Sequence, residues 1–229
     1  MLTISVIDCA IKQASHGCFN QLVDTFEHKF RYHHPPAQGM NSLLKEDDAQ
    51  AYIVFGSASN VGDNLGWHEE LANFCLQKLN KQIPILGICF GHQLLGNKLG
   101  WPVQRNKDNR SFYGTRKIEI HQDAWGMKKG DRFHIFTAHS YCLKQVKGSD
   151  QKLSLIASTE ECPVDIIAHH DLPFLGIQGH PEASSSFVEN EIEENSEKLS
   201  LEETSRARKS GLEFINYFIL NSEKLARSL

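Results

Sequence analysis

The stretch Pro84-Ile-Leu-Gly-Ile-Cys-Phe-Gly-His-Gln-Leu-Leu-Gly96 constrains this chain more than any other. A short apolar run, suited to a buried strand, meets glycine, cysteine and glycine and passes at once into a helix-forming segment, Gly91 to Leu99. The turn is so tight that the residues two before and two after its apex must be small, which accounts for Gly87 and Gly91 around Cys89. Cys89 then projects above the sheet edge, where open α/β sheets bind their ligands. A helix amino end aimed at a sulfur favours the thiolate and supplies amide donors to a developing oxyanion. Taken alone, Cys89 reads equally as an ordinary core cysteine. The pattern Gly-x-Cys-x-Gly-x-Gln, however, fixes four positions and arises by chance on the order of once per thousand chains of this length.

Apolar runs rich in Ile and Val recur before this point, at Leu2 to Ile7 and Tyr52 to Phe55, and helical spacing separates them. Phe19, Leu22, Val23, Phe26 and Phe30 predict one amphipathic helix, and Trp67, Leu71, Phe74, Cys75 and Leu79 a second. Strands alternating with helices predict a mostly parallel sheet covered on both faces. Beyond it, Thr115 to Ile120, Phe133 to Thr137, Leu153 to Ala157, Val164 to Ala168 and Phe174 to Ile177 are strand-like runs joined by loops, an antiparallel extension. From Glu189 to Glu203 the chain is acidic, with Glu189, Glu191, Glu193, Glu194, Glu197, Glu202 and Glu203 close together. The acidic insertion, about 187–203, reads as a solvated helix or mobile excursion. A last helix carries Leu212, Ile215, Phe218 and Ile219. At 229 residues one domain is expected.

A net charge of −4 argues against a phosphate-tracking surface, so no nucleic-acid partner is expected. No segment is long and apolar enough for a membrane span, the amino terminus lacks the marks of a secretory signal, and the six scattered cysteines read as reduced thiols. A cytoplasmic setting is the expectation. The adjacent pairs His33-His34 and His169-His170 read as surface or loop residues without metal spacing, and no metal is expected.

A thiol nucleophile needs a general base and a group that orients it. Phe174-Leu-Gly-Ile-Gln-Gly-His-Pro-Glu182 supplies both. Pro181 disfavours the helical region for His180, and in extended chain residues two apart project to one side, which lets Glu182 reach the imidazole. The alternative is a surface histidine beside a turn proline.

Gly87-Ile-Cys-Phe-Gly-His-Gln93 and Gly179-His-Pro-Glu182 resemble the two signature motifs of class I glutamine amidotransferases, in that family's order and rough spacing. The similarity is closest to the single-domain, GMP-synthase-like branch and covers most of the chain. It implies a flavodoxin-like fold, a Cys89-His180-Glu182 triad that hydrolyses glutamine to glutamate and ammonia without a cofactor, and a role for Gln93 in seating the substrate. Tyr52-Ile-Val-Phe-Gly-Ser-Ala-Ser-Asn60 stands where relatives usually carry a Gly-Gly-Pro oxyanion loop. Gly56, Ser57 and Phe90 are the candidate oxyanion residues, and an ordinary strand-to-helix loop is the alternative for the first two. Thr137-Ala-His-Ser-Tyr141 resembles the loop that holds the substrate's α-amino and α-carboxylate groups, with Ser140 and Tyr141 as candidates and His139 either functional or structural.

The ammonia acceptor stays open, since no synthetase domain or phosphate-binding Gly-Lys motif is visible. A separate synthetase subunit would receive the ammonia; otherwise the enzyme hydrolyses γ-glutamyl peptides or amines. A non-catalytic binding module is the third reading. The acidic insertion follows the His-Pro-Glu segment closely enough to be a lid or docking surface, or a plain solvated excursion.

Overall fold

The alternation is realised as an open, twisted sheet in the computed structural model, which describes residues 1–45, 48–148, 152–195 and 199–228. In chain order the elements are β1 (Thr3–Ile7), α1 (His16–Thr25), β2 (Lys29–His33), α2 (Pro35–Gln38), α3 (Asn41–Lys45), β3 (Ala51–Val54), α4 (Gly66–Asn80), β4 (Ile85–Ile88) and α5 (Phe90–Lys98). They continue as β5 (Val103–Arg105), β6 (Phe112–Glu119), β7 (Arg132–His139), β8 (Tyr141–Leu143), β9 (Leu153–Ala157), β10 (Ile166–His169), β11 (Phe174–Ile177), α6 (Ser185–Asn195) and α7 (Leu201–Ser228). The main sheet has seven strands in the order β2-β1-β3-β4-β11-β10-β9. β2, β1, β3, β4 and β11 run parallel, and β10 and β9 add an antiparallel edge. β6 with β7, and β5 with β8, form two small antiparallel sheets. This is the flavodoxin-like α/β architecture with a small antiparallel extension that the sequence predicts.

The central strands are apolar at every turn of the pleat because both faces are covered. Ala51, Ile53, Leu86 and Ile88 pack on the side of Leu22, Phe214 and Phe218, from α1 and α7. Tyr52, Val54 and Ile85 face Leu71, Phe74, Leu79 and Leu94, from α4 and α5. Topology then places the site. β3, β4 and β11 are neighbours, in the register Val54 to Gly87 and Ile88 to Ile177. Their carboxyl ends therefore deliver Gly56, Cys89 and His180 to one stretch of the sheet edge.

Three sequence expectations need correction, the first being that Phe174 to Ile177 belongs to the antiparallel extension: as β11 it runs parallel to β4 inside the main sheet. The helix predicted through Phe30 ends at Thr25, and Phe30 lies in β2, paired with Ile4. The alternation Phe30-Arg-Tyr32 and the parallel partner override the three-and-four spacing. His33 is buried, not superficial, and hydrogen-bonds to Ser5 Oγ at 3.2 Å and Ser42 Oγ at 3.3 Å. For the acidic stretch the helical one of the two readings holds: it includes much of α6, and α7 starts at Leu201, capped by the reciprocal bonds of Ser200 and Glu203. Its Glu197 lies outside the described residues. α6 is docked, since Val188 is buried against Phe136 and Ala183, while Glu189 and Glu193 face solvent.

Candidate active site

Cys89 stands between β4 and α5 with φ +48° and ψ −101°, a region that a side chain occupies only under strain. The two glycines make that turn possible. A Cβ on Gly87 would meet the Gly91 carbonyl at 2.8 Å, and one on Gly91 would meet the Val54 carbonyl at 2.5 Å. Both obstacles are backbone, so neither yields to a rotamer change. The elbow read from the sequence is present.

His180 is held from the opposite side. Its amide donates to the Phe136 carbonyl at 2.7 Å in an isolated antiparallel bridge. Past Pro181 the chain turns, and Glu182 Oε1 reaches His180 Nδ1 at 2.9 Å. Expected contact and expected residues agree; the route is a bridge followed by a turn instead of a continuous strand. With Nδ1 engaged by the carboxylate, Nε2 is the nitrogen left to exchange a proton with sulfur. Burial pulls the imidazole down, yet the Glu182 carboxylate and the Cys89 side chain hold it well above the ordinary histidine value of 6.5.

That elevation has a sign. The charged His180 stabilises the fold fully below an unfolded-state pKa of about 6.5, and the contribution is lost as pH rises through the higher folded value. Glu182→Gln keeps the hydrogen-bonding shape and removes the charge. The His180 midpoint, followed by proton NMR of the ring, is expected to fall in this variant relative to wild type. An unchanged midpoint would show that Glu182 does not set the imidazole's charge.

A cavity of about 500 Å³ opens over these groups. Gly56, Ser57, Gln93, Ser140 and Tyr141 all line it, so the sequence-derived site residues converge there with one exception. Phe90 does not line it; its ring is buried against Trp67 and His68, and only its backbone is available to the site. A Cβ on Gly56 would sit 2.8 Å from His180 Cε1, so this backbone passes in contact with the candidate base. Gln93 Nε2 donates to the Tyr141 carbonyl at 2.8 Å and to Gln178 Oε1 at 3.0 Å. The Ser140 hydroxyl is engaged by Ser111 Oγ at 2.6 Å and the Tyr141 hydroxyl by Arg105 at 3.1 Å. Both hydroxyls are thus already hydrogen-bonded within the protein.

His139 lines the cavity and is anchored by its neighbours. Its Nδ1 donates to the Tyr141 carbonyl at 3.0 Å, and its Nε2 accepts from Arg116 at 3.1 Å. Burial, reinforced by the Arg116 charge, pushes it down to about 3, so the ring is neutral.

Two walls of the cavity come from segments that supplied no candidate site residue, although the second lies in the acidic insertion for which a lid was one of the sequence readings. One is the segment after β1, which includes Lys12, Ser15 and His16. It is fastened by the buried Asp8, whose carboxylate accepts from the Ala10 and Ser15 amides and from Tyr32. The one signal of it was an acidic residue ending an apolar strand. The other wall is α6, through Phe187, Asn190 and Glu191, with the Phe187 ring 5.0 Å from that of His180. A second thiol on the cavity, Cys18, is held protonated at about 12 by burial and the Glu182 charge.

Comparison with known proteins agrees with the geometry. The family Glutamine amidotransferase class-I matches residues 5–198. A subunit of the glutamine-hydrolysing GMP synthase of Methanopyrus kandleri is 28% identical over 195 residues, covering 81% of this chain and 95% of that protein. The protein of the same name from Pyrococcus abyssi is 32% identical over 148 residues, 64% of this chain and 74% of that one. The crystal structure of a glutamine amidotransferase from Thermotoga maritima superposes with a TM-score of 0.71 at 17% identity, over 99% of this chain and 97% of that chain, a likeness of fold. Among the described residues no helix is long and apolar enough to cross a membrane. With a family match spanning residues 5–198, the chain belongs to the class I glutamine amidotransferases.

Proposed function

We propose that this enzyme hydrolyses the γ-amide of L-glutamine to glutamate and ammonia through a thioester on Cys89. The observation that carries the reading is the strained elbow cysteine facing an imidazole whose far nitrogen is held by a buried carboxylate at 2.9 Å. Cys89 sulfur adds to the γ-carbonyl, and the oxygen gains negative charge beside the backbone of Gly56, Ser57 and Phe90. The carbon–nitrogen bond then breaks as His180 gives its proton to the departing nitrogen. Water, deprotonated by His180, adds to the thioester; glutamate leaves and the sulfur is restored. Glu182 orients the ring throughout and balances its charge. With both N–H bonds of Gln93 committed, its carboxamide oxygen remains as an acceptor for the substrate's ammonium group.

The partner that fits this chemistry is a synthetase on a separate chain that consumes the ammonia. The relatives' name, one subunit of a glutamine-hydrolysing GMP synthase, supports it. The continuous family match supports an enzyme of one domain, and six free, buried thiols support a reducing, cytoplasmic setting. A second reading, hydrolysis of γ-glutamyl peptides or amines, is favoured by the reach of the cavity from Cys89 to His16 and Glu191.

The test is release of ammonia and glutamate by the purified chain, with L-glutamine and a γ-glutamyl dipeptide side by side. Equal amounts of both products from glutamine are expected. Turnover of the dipeptide in preference to glutamine would transfer the assignment to the second reading. No release from either, with a partner synthetase present, would sink both.

A further inference from the structure

The loop after Gly56 has neither a proline nor a second glycine to set its path; it runs Ser57-Ala58-Ser59-Asn60. Side chains restrict it instead. Ser57 Oγ accepts from the Ser59 amide at 3.1 Å and shares a hydrogen bond with Ser59 Oγ at 2.9 Å. Ser59 is itself buried and continues the chain to His68 Nε2 at 3.1 Å. Beyond it, the Asn60 amide donates to Asp63 at 2.8 Å in a reciprocal capping box, so the loop is pinned at its far end as well.

His68 lies in the first turn of α4, an element that contributes no candidate site residue. It is 3% exposed, its ring edge-on to Trp67 at 4.2 Å and tilted against Phe90 at 4.9 Å. Phe90 follows the nucleophile and carries the other candidate oxyanion amide. One buried ring therefore touches both halves of the hole, through hydroxyls on one side and directly on the other. Burial lowers its pKa from the ordinary histidine value.

We propose that His68 and Ser59 are positioning residues that lock the two halves of the oxyanion hole into one geometry. His68 steers the Gly56–Ser57 backbone through the Ser59 hydroxyl and steers Phe90 by ring contact. Donors stabilise a developing oxyanion only when they are fixed before the charge appears. Looser donors cost the chemical step and not ground-state binding. The tolerance is small, because the backbone at Gly56 is already packed against His180 and Cys89.

The test uses the full chain with Ser59→Ala, Ser59→Thr and His68→Phe, the last keeping a ring against Phe90 while removing the hydrogen bond. It rests on the glutaminase reading for one of its two readouts. In Ser59→Ala and His68→Phe, kcat for glutamine is expected to fall about ten- to thirtyfold with KM within about twofold, and Ser59→Thr to recover most of the loss. Unchanged kcat, or a loss confined to KM, would overturn the proposal. The second readout needs no substrate: backbone order parameters at Ser57 and Ala58 are expected to drop in Ser59→Ala while those of β3 hold. Order retained in the loop would overturn it too. If the wild type hydrolyses no glutamine, the functional reading fails and the order parameters alone decide the clamp. Should His68→Phe not fold, the Ser59 pair carries the comparison.

Discussion

Cys89→Ser and Cys89→Ala are expected to lower amide hydrolysis on the order of 10⁴-fold or more while leaving a folded protein. The size follows from the role: without the sulfur no thioester forms, and only binding and the oxyanion donors remain to accelerate attack by water. The retained fold follows from the site's position. Cys89 sits at the rim of the sheet, and the glycines that hold the elbow are untouched. Activity at wild-type level in either variant would dismiss the nucleophile assignment. Labelling offers a second check, because a glutamine-mimicking electrophile is expected to modify Cys89 and to leave the protonated, buried Cys18 alone. Backbone strain adds a stability ordering. At φ +48° and ψ −101° a Cβ is unfavourable, so Cys89→Gly is expected to be more stable than Cys89→Ala by about 1 kcal/mol, read from urea unfolding. The nucleophile's conformation would then be a site held at the expense of stability.

Such strain was legible because it forces residue types. A tight strand-to-helix turn tolerates no Cβ at Gly87 or Gly91, and a one-dimensional string records that demand directly. The His180–Glu182 contact was legible for a similar reason, being two residues apart across a proline. Parallel strands buried on both faces announce themselves as Ile and Val runs. What escaped was everything set by partners far away in the chain. Phe30 has helical spacing, yet pairing with β1 makes it a strand residue. His33 looks polar and superficial until Ser5 and Ser42 close on it. α6 carries acidic residues that face solvent, and the few residues that dock it, Phe187 and Val188, are too few to stand out from the charge around them. Composition describes a helix's outer face well and says little about a narrow inner one.

The network beneath the 137–141 loop belongs to the same class, and it carries the second large effect. Arg116 on β6 and Asp165, just before β10, form an ion pair at 2.5 Å with side chains 7% and 0% exposed. Thr159 Oγ1 donates to the second carboxylate oxygen of Asp165 at 2.8 Å, and Arg116 donates to His139 at 3.1 Å. Removing one member of a buried pair strands the other charge, which costs about 3–5 kcal/mol. Asp165→Ala is therefore expected to lose stability in that range by urea unfolding. Replacing both partners with apolar residues, as in Arg116→Met with Asp165→Leu, removes the stranded charge and leaves His139 Nε2 without its donor, while half-buried Thr159 loses its acceptor in this variant as in Asp165→Ala. One unsatisfied buried acceptor costs about 1–3 kcal/mol. The double variant is thus expected to be more stable than Asp165→Ala although it carries more substitutions. The reverse order would show that the pair contributes packing and not charge balance. Function should follow the same line, because Arg116 sets the His139 ring and the ring holds the Tyr141 carbonyl that also receives Gln93. Loosening that carbonyl frees a loop that lines the cavity, so the double variant is expected to raise KM for glutamine more than it lowers kcat.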